Sequence, residues 1–205
     1  MLTRERRVPE EVFLPFPAPS RDRVLPVTRV RGTWIASFVR AIKATPHFDA
    51  YVNELDPATR TAVMGAMAGD WLDIAVLMAH YEACDRLSLP GEAIMQIASQ
   101  GLRHAQGSVL AVTARAVATP WTLFGQLQRF WDRLFMGGGT AVFKLGPKEA
   151  RVEIVGFPGC SSRYCRIAIR GIAQTAFEFI SQRAFVTEVP RLASSTSMAI
   201  RVAWV

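Results

Sequence analysis

His80 and Cys84 stand four residues apart in "LMAHYEACDR", one helical turn, so a helix there presents both to a single metal ion. Cys160 and Cys165, in "GCSSRYC", have four residues between them, at the edge of zinc-knuckle spacing. Together these four side chains would complete a tetrahedral site, but nothing in the sequence brings the two pairs together, and two ligands do not make a structural zinc site. Ordinary core cysteines and a loop thiol are the plainer reading. No metal is assigned. The run Gly137-Gly138-Gly139 raises a phosphate-binding loop. Such a loop follows a strand and opens a helix, so that free N–H groups face the anion. Here the order is helix, glycines, strand, and no Gly-Lys-Ser/Thr follows. The glycines read as a left-handed helix stop and an entry into a sheet.

Nucleophilic and acid–base chemistry find little support. No Gly-x-Ser-x-Gly elbow occurs, and no cysteine sits at a helix start with a histidine partner. Asp73, Asp132 and Glu178 fall in helix-like stretches and read as exposed or paired groups. No catalytic residue is assigned, and the chain reads as no enzyme. The aromatic residues say more. Trp121, Phe124, Phe130, Trp131 and Phe135 crowd one stretch ahead of a sheet. Such a stripe serves as core, or it walls an apolar pocket between helix and sheet. In the second case Arg133 and Tyr164 are candidates for its polar groups.

The elements that would position these residues follow from periodicity. Val27 to Met136 reads as helix throughout: Val30, Trp34, Phe38 and Ile42 recur every four residues, Asp56-Pro57 opens a helix that ends at Gly69, and Pro90-Gly91 opens another, bent near Gly101 or Gly107. Thr119-Pro120 starts the aromatic helix. After Gly139 the period changes to two. "TAVFKLG" and "ARVEIVGF" form a hairpin, the stretch around Tyr164 to Phe179 is helical, and "AFVTEVP" and "SMAIRVAWV" alternate again. The fold class is therefore α+β, a helical N-terminal half packed on a four-stranded antiparallel sheet of β-β-α-β-β order.

The 205 residues suffice for one well-buried domain, here 27–205, preceded by a Pro- and Arg-rich arm over 1–26. Val12, Phe13, Leu14 and Phe16 give that arm apolar surface to dock with. Half of the residues are hydrophobic and the net charge is +7, with Arg4, Arg6, Arg7, Arg21, Arg23, Arg29, Arg31 and Arg40 near the N-terminus. An acidic partner, nucleic acid included, is compatible with this charge, although the strands lack the interleaved aromatic and basic residues of a nucleic-acid surface. The opening residues lack the apolar core of a signal peptide, and no apolar run reaches the length of a membrane span. Three cysteines give no disulfide framework, which points to the cytoplasm.

A helical half, an aromatic helix entering "FWDRLF" and a β-β-α-β-β finish resemble the superfamily of haem nitric-oxide/oxygen-binding (H-NOX) domains, 4-vinyl reductase domains and TRAPP vesicle-tethering subunits. Val30-Arg31-Gly32, Pro120, Phe130-Trp131 and Gly156-Phe157 also resemble the pattern of an uncharacterised bacterial family of similar length. The resemblance covers residues 27 to 205 and implies an apolar cavity between helices and sheet, with surfaces for dimerisation or partner binding. Haem-binding members carry an axial histidine and a Tyr-x-Ser-x-Arg set for the propionates. This chain has no histidine after His104, and "YCRIAIR" from Tyr164 is not that set, so haem through the usual ligand is not expected. His80 and His104 are the histidines that could substitute.

These readings converge on a non-enzymatic sensor or adaptor that binds a small apolar ligand in the helix–sheet cavity and signals through a protein partner or homodimer. A ligand-free scaffold is the alternative, and a basic nucleic-acid-binding regulator the more distant one.

Overall fold

The computed structural model describes residues 11–105 and 119–205, and these residues make two antiparallel sheets and eight helices. Arg4, Arg6, Arg7 and Gly107 lie outside the described residues. Strand β1 (Glu11–Leu14) and a 3-10 turn (Arg21–Arg23) precede β2 (Arg29–Arg31). The helical half follows as α1 (Gly32–Lys43), α2 (Phe48–Glu54), α3 (Pro57–Met64), β3 (Trp71–Asp73), α4 (Ile74–Arg86) and α5 (Gly91–Ala105). Then come α6 (Pro120–Gly125), α7 (Leu127–Leu134), β4 (Phe135–Met136), β5 (Gly139–Gly146), β6 (Glu149–Val155), α8 (Arg163–Glu178), β7 (Ala184–Glu188) and β8 (Ser197–Trp204).

Local chemistry sets several of these boundaries. Asp56 accepts a hydrogen bond from Ala58 N with Pro57 at the first helical position, an arrangement worth about 1 kcal/mol. Thr119 and Thr122 cap one another reciprocally ahead of Pro120. The helix opened by Pro57 stops at Met64 rather than running to Gly69, and the aromatic helix is broken at Gln126 into α6 and α7.

The helical half is not helical throughout. Arg29–Arg31, Trp71–Asp73 and Phe135–Met136 pair into a three-stranded sheet of order β3-β2-β4. Strands this short carry too little alternation to stand out between amphipathic helices. The main sheet likewise departs from the four strands expected. It has five, in the order β1-β5-β6-β8-β7, because Glu11–Leu14 pairs with β5 along its outer edge. The four Val12-to-Phe16 hydrophobics thus accompany a strand of the sheet.

Alternation divides the main sheet into two faces. One ladder runs Leu14, Val142, Val152, Ile200 and Glu188; the adjacent one runs Val12, Phe143, Arg151, Arg201 and Thr187. The first faces α8, where Arg166 meets Glu188 at 3.9 Å. The second faces away. Met198, Ile200, Val202 and Trp204 share the helix-side face and are all buried, as their spacing implies.

The glycine run does two things. Gly137 and Gly138 have φ of +86° and +67°, but they turn β4 into β5 instead of stopping a helix: α7 already ends at Leu134, where Phe135 turns extended and begins β4. They also form a bed for the segment that links β1 to β2. A Cβ on Gly137 would stand 2.2 Å from the Pro26 carbonyl oxygen, one on Gly138 2.5 Å from Val27 Cγ2, and one on Gly139 2.6 Å from Pro17 Cγ. Leu25 O accepts from Gly138 N at 2.6 Å, which fastens the strap at that point.

Candidate functional site

The space between helices and sheet is occupied by the chain's own rings. Trp131, carried inward by α7, packs on Phe135 (centroids 4.5 Å apart) and Phe157 (5.4 Å), and its Nε1 donates to Gly137 O at 2.9 Å. The contacts continue from Phe135 to Trp34 and Phe38, and from Phe157 to Tyr81 and Tyr164. A second cluster lies at the other end of the sheet: Phe13, Trp121, Phe124, Phe177 and Trp204. Close aromatic pairs of this kind hold a core together beyond simple area burial.

The sequence-derived pocket candidates are thereby distributed. Trp131, Phe135 and Tyr164 belong to the first cluster, and Trp121 and Phe124 to the second. Phe130 is half-buried and Arg133 exposed, and neither takes part in these ring contacts. The seven do not line one common space. Two open clefts, of about 480 and 640 Å³, lie on the far face of the main sheet, and none of the seven lines either.

Inside the first cluster sits a buried polar group. Its histidine is His80, fully buried on α4, with its Nδ1 2.7 Å from the Tyr51 hydroxyl and the Cys84 sulfur about a turn away at 3.9 Å from Nε2. Burial pushes the Tyr51 phenol far above its ordinary range, so Tyr51 keeps its proton and donates to Nδ1. Burial also lowers the His80 pKa from 6.5 to about 4, so the ring is neutral with its proton on Nε2. Rings of Tyr51, Tyr81 and Tyr164 surround it at 5.5, 5.5 and 5.9 Å. Among the described residues the buried Tyr164 hydroxyl has no nitrogen or oxygen partner, and it lies against the Cys84 thiol. Tyr164 N donates to Asp85 Oδ1 at 2.6 Å, which joins α4 to α8.

The thiols are inert in this setting. Cys84, Cys160 and Cys165 are all buried and free. Desolvation raises the Cys160 thiol to about 12 and pushes Cys84 and Cys165 well up, so none is a thiolate at neutral pH. His80 and Cys84 do share a turn, as their spacing implies. Among the described residues, however, no group of three or more His, Cys, Asp or Glu side chains is placed to hold a metal ion.

The far face of the main sheet carries a network that the sequence reading missed. Arg151 and Glu153 are both buried there, 3.0 Å apart, and the Arg151 guanidinium lies over the Phe143 ring at 4.4 Å. Arg21 crosses from the strap to Glu153 Oε2 at 3.3 Å and also donates to Ser197 Oγ at 2.8 Å and Leu192 O at 3.1 Å. The alternation of Glu149, Arg151 and Glu153 along β6 was the available signal.

No protein-family model and no curated protein matches the chain. Solved structures do. An Fe(II) unliganded H-NOX mutant from K. algicida aligns over 85% of this chain and 96% of its own, at 8% identity and TM-score 0.62. An oxygen-binding H-NOX domain related to soluble guanylate cyclases, in its oxygen complex, aligns over 85% and 94% at 12% identity and TM-score 0.54. A protein in which porphyrin distortion modulates the haem redox potential aligns over 85% and 99% at 12% identity and TM-score 0.55. The chain has the H-NOX fold. At such identities the likeness concerns the fold alone.

That fold raises haem directly, and the residues present do not fit it. Its iron needs an axial donor beside a planar cavity. Among the described residues His80 is the one fully buried histidine; Tyr51 takes its Nδ1, Cys84 Sγ lies 3.9 Å from its Nε2, and three phenol rings wall it in. His104 is exposed and His47 half-buried. Residues 106–118 contain no His, Cys, Tyr or Met in sequence. Among the described residues, no helix is long and apolar enough to cross a membrane.

Proposed function

We propose that the protein is a non-catalytic regulatory module that uses the H-NOX fold without haem and communicates by binding a protein partner or a second copy of itself. The observation that carries this reading is the filled interior: Trp131, Phe135, Phe157, Tyr81 and Tyr164 pack on one another between helices and sheet, and His80 is held by Tyr51. Dense packing leaves an internal ligand to compete with aromatic contacts the protein already makes. This favours the ligand-free adaptor over a sensor of a small apolar molecule. The protonated, buried thiols support a non-catalytic role in a reducing, cytoplasmic setting.

The test is an absorption spectrum and a native mass spectrum of protein produced with haem precursor and then mixed with hemin. The expected result is the apo mass and no Soret band beyond that of free hemin. A stoichiometric haem complex with a sharp Soret band overturns the reading.

A further inference from the structure

One face of the small sheet carries exposed and half-exposed side chains. Val30 is fully buried on its inner side together with Phe135, which pairs with it. Arg29 and Arg31 flank Val30, so alternation turns both outward. Pair register adds Met136 and Asp73 on either side of Arg29, and Trp71 opposite Arg31. The Arg31 guanidinium lies over the Trp71 ring, 4.1 Å from its centroid, and donates to Gly69 O at 2.9 Å. Those contacts fix its position without neutralising its charge. Asp73 is turned to the start of α4, where it accepts from Ala75 N at 2.8 Å. Among the described residues neither Arg29 nor Arg31 pairs with a carboxylate. Met136 is 40% exposed, and Met67, on the loop latched to the first residue of α1 through Gly32 N and Asp70 O, is 66% exposed.

We infer that this face of the β3-β2-β4 sheet docks an acidic amphipathic helix of a protein partner. The exposed, flexible thioether of Met136, with that of Met67 on the neighbouring loop, and two guanidinium groups that pair with no carboxylate among the described residues match the features of such a helix, an apolar stripe bordered by carboxylates. The methionines adapt to the stripe, while Arg29 and the Trp71-backed Arg31 select for negative charge. Complementary charge is what argues for an acidic occupant, on a chain whose net charge is +7. This deepens the partner-binding reading above and rests on it.

The experiment labels the methionine methyl groups of the full chain with carbon-13 and follows their NMR signals during titration. The probe is a helical peptide with leucines along one face and glutamates beside them. The expected result is saturable shifts of the Met67 and Met136 signals, with the buried Met198 signal unmoved. The double variant Arg29→Glu/Arg31→Glu, with its thermal transition preserved, should weaken binding by about tenfold or more. A peptide with lysines in place of glutamates should not bind. Failure of the acidic peptide to shift either signal up to about 1 mM overturns the inference. So does equal binding of the lysine peptide, or binding only to phosphatidylglycerol vesicles. Haem uptake in the spectroscopic test sinks the haem-free reading without touching this titration, so the two failures are separable.

Discussion

The two faces of the main sheet are built from the same strands, one residue out of step, and they hold together by different physics. On the helix side the ladder Leu14, Val142, Val152, Ile200 meets α8 and the aromatic clusters. On the far side Val12, Phe143, Arg151, Arg201 and Thr187 present charge, and two arginines stand directly opposite each other. Like charges in such a pair repel. Glu153 beside Arg151 and Glu149 beside Arg201 offset that repulsion. The helix side is held chiefly by apolar packing. The far side depends on a lattice of ion pairs tied down by the strap. Change should therefore be costly on the first face and graded on the second.

Trp131→Ala should give the largest effect, about 3–5 kcal/mol in urea unfolding, because the lost ring leaves a cavity among Phe135 and Phe157. A loss below about 1 kcal/mol would show that the core is looser than its contacts imply.

Acid sharpens the same contrast through His80. Its folded pKa, about 4, lies below the ordinary 6.5, so the unfolded chain takes up a proton first as pH falls. The stability due to a neutral His80 is complete above pH 6.5 and falls on the way down to about 4, by which point the loss is about 3 kcal/mol. His80→Gln keeps an acceptor for Tyr51 and should flatten the slope of stability against pH in that window. An unchanged slope would place the acid sensitivity elsewhere.

Much of the helix-side face was legible because burial repeats with the period of its element. Met198, Ile200, Val202 and Trp204 alternate along β8, and Trp34, Phe38 and Ile42 recur along α1, although Val30, expected on the same helical face, lies in β2. The far face was not, because its order is made by long-range pairs. Nothing local to Arg21 announces Glu153, which is 132 residues away. The same reason hid β1, since four residues among prolines become a strand only when β5 offers its edge. The aromatic stripe was seen, but the break at Gln126 and the separate partners of Trp121 and Trp131 divided it between two clusters. For His80 the sequence offers half of a metal site with Cys84, to which no metal is assigned, and a substitute haem ligand. Tyr51, which settles its role, carried no signal of its own.

The strap supplies the smaller tests. Gly137→Ala places a methyl group 2.2 Å from the Pro26 carbonyl oxygen at a residue with φ of +86°. The strain should cost about 1–3 kcal/mol and speed proteolysis between Phe16 and Leu25.

Arg21→Ala should cost least, about 1–2 kcal/mol, since it removes charge-assisted hydrogen bonds from a half-exposed side chain. Glu153 keeps Arg151, so the sheet beneath should remain folded. Hydrogen exchange separates local release from general weakening. Amides near the 3-10 turn Arg21–Arg23 should exchange faster while those of β6 and β8 stay protected. If β6 and β8 loosen together with the strap, the far face is as cooperative as the aromatic core, and the contrast between the two faces disappears.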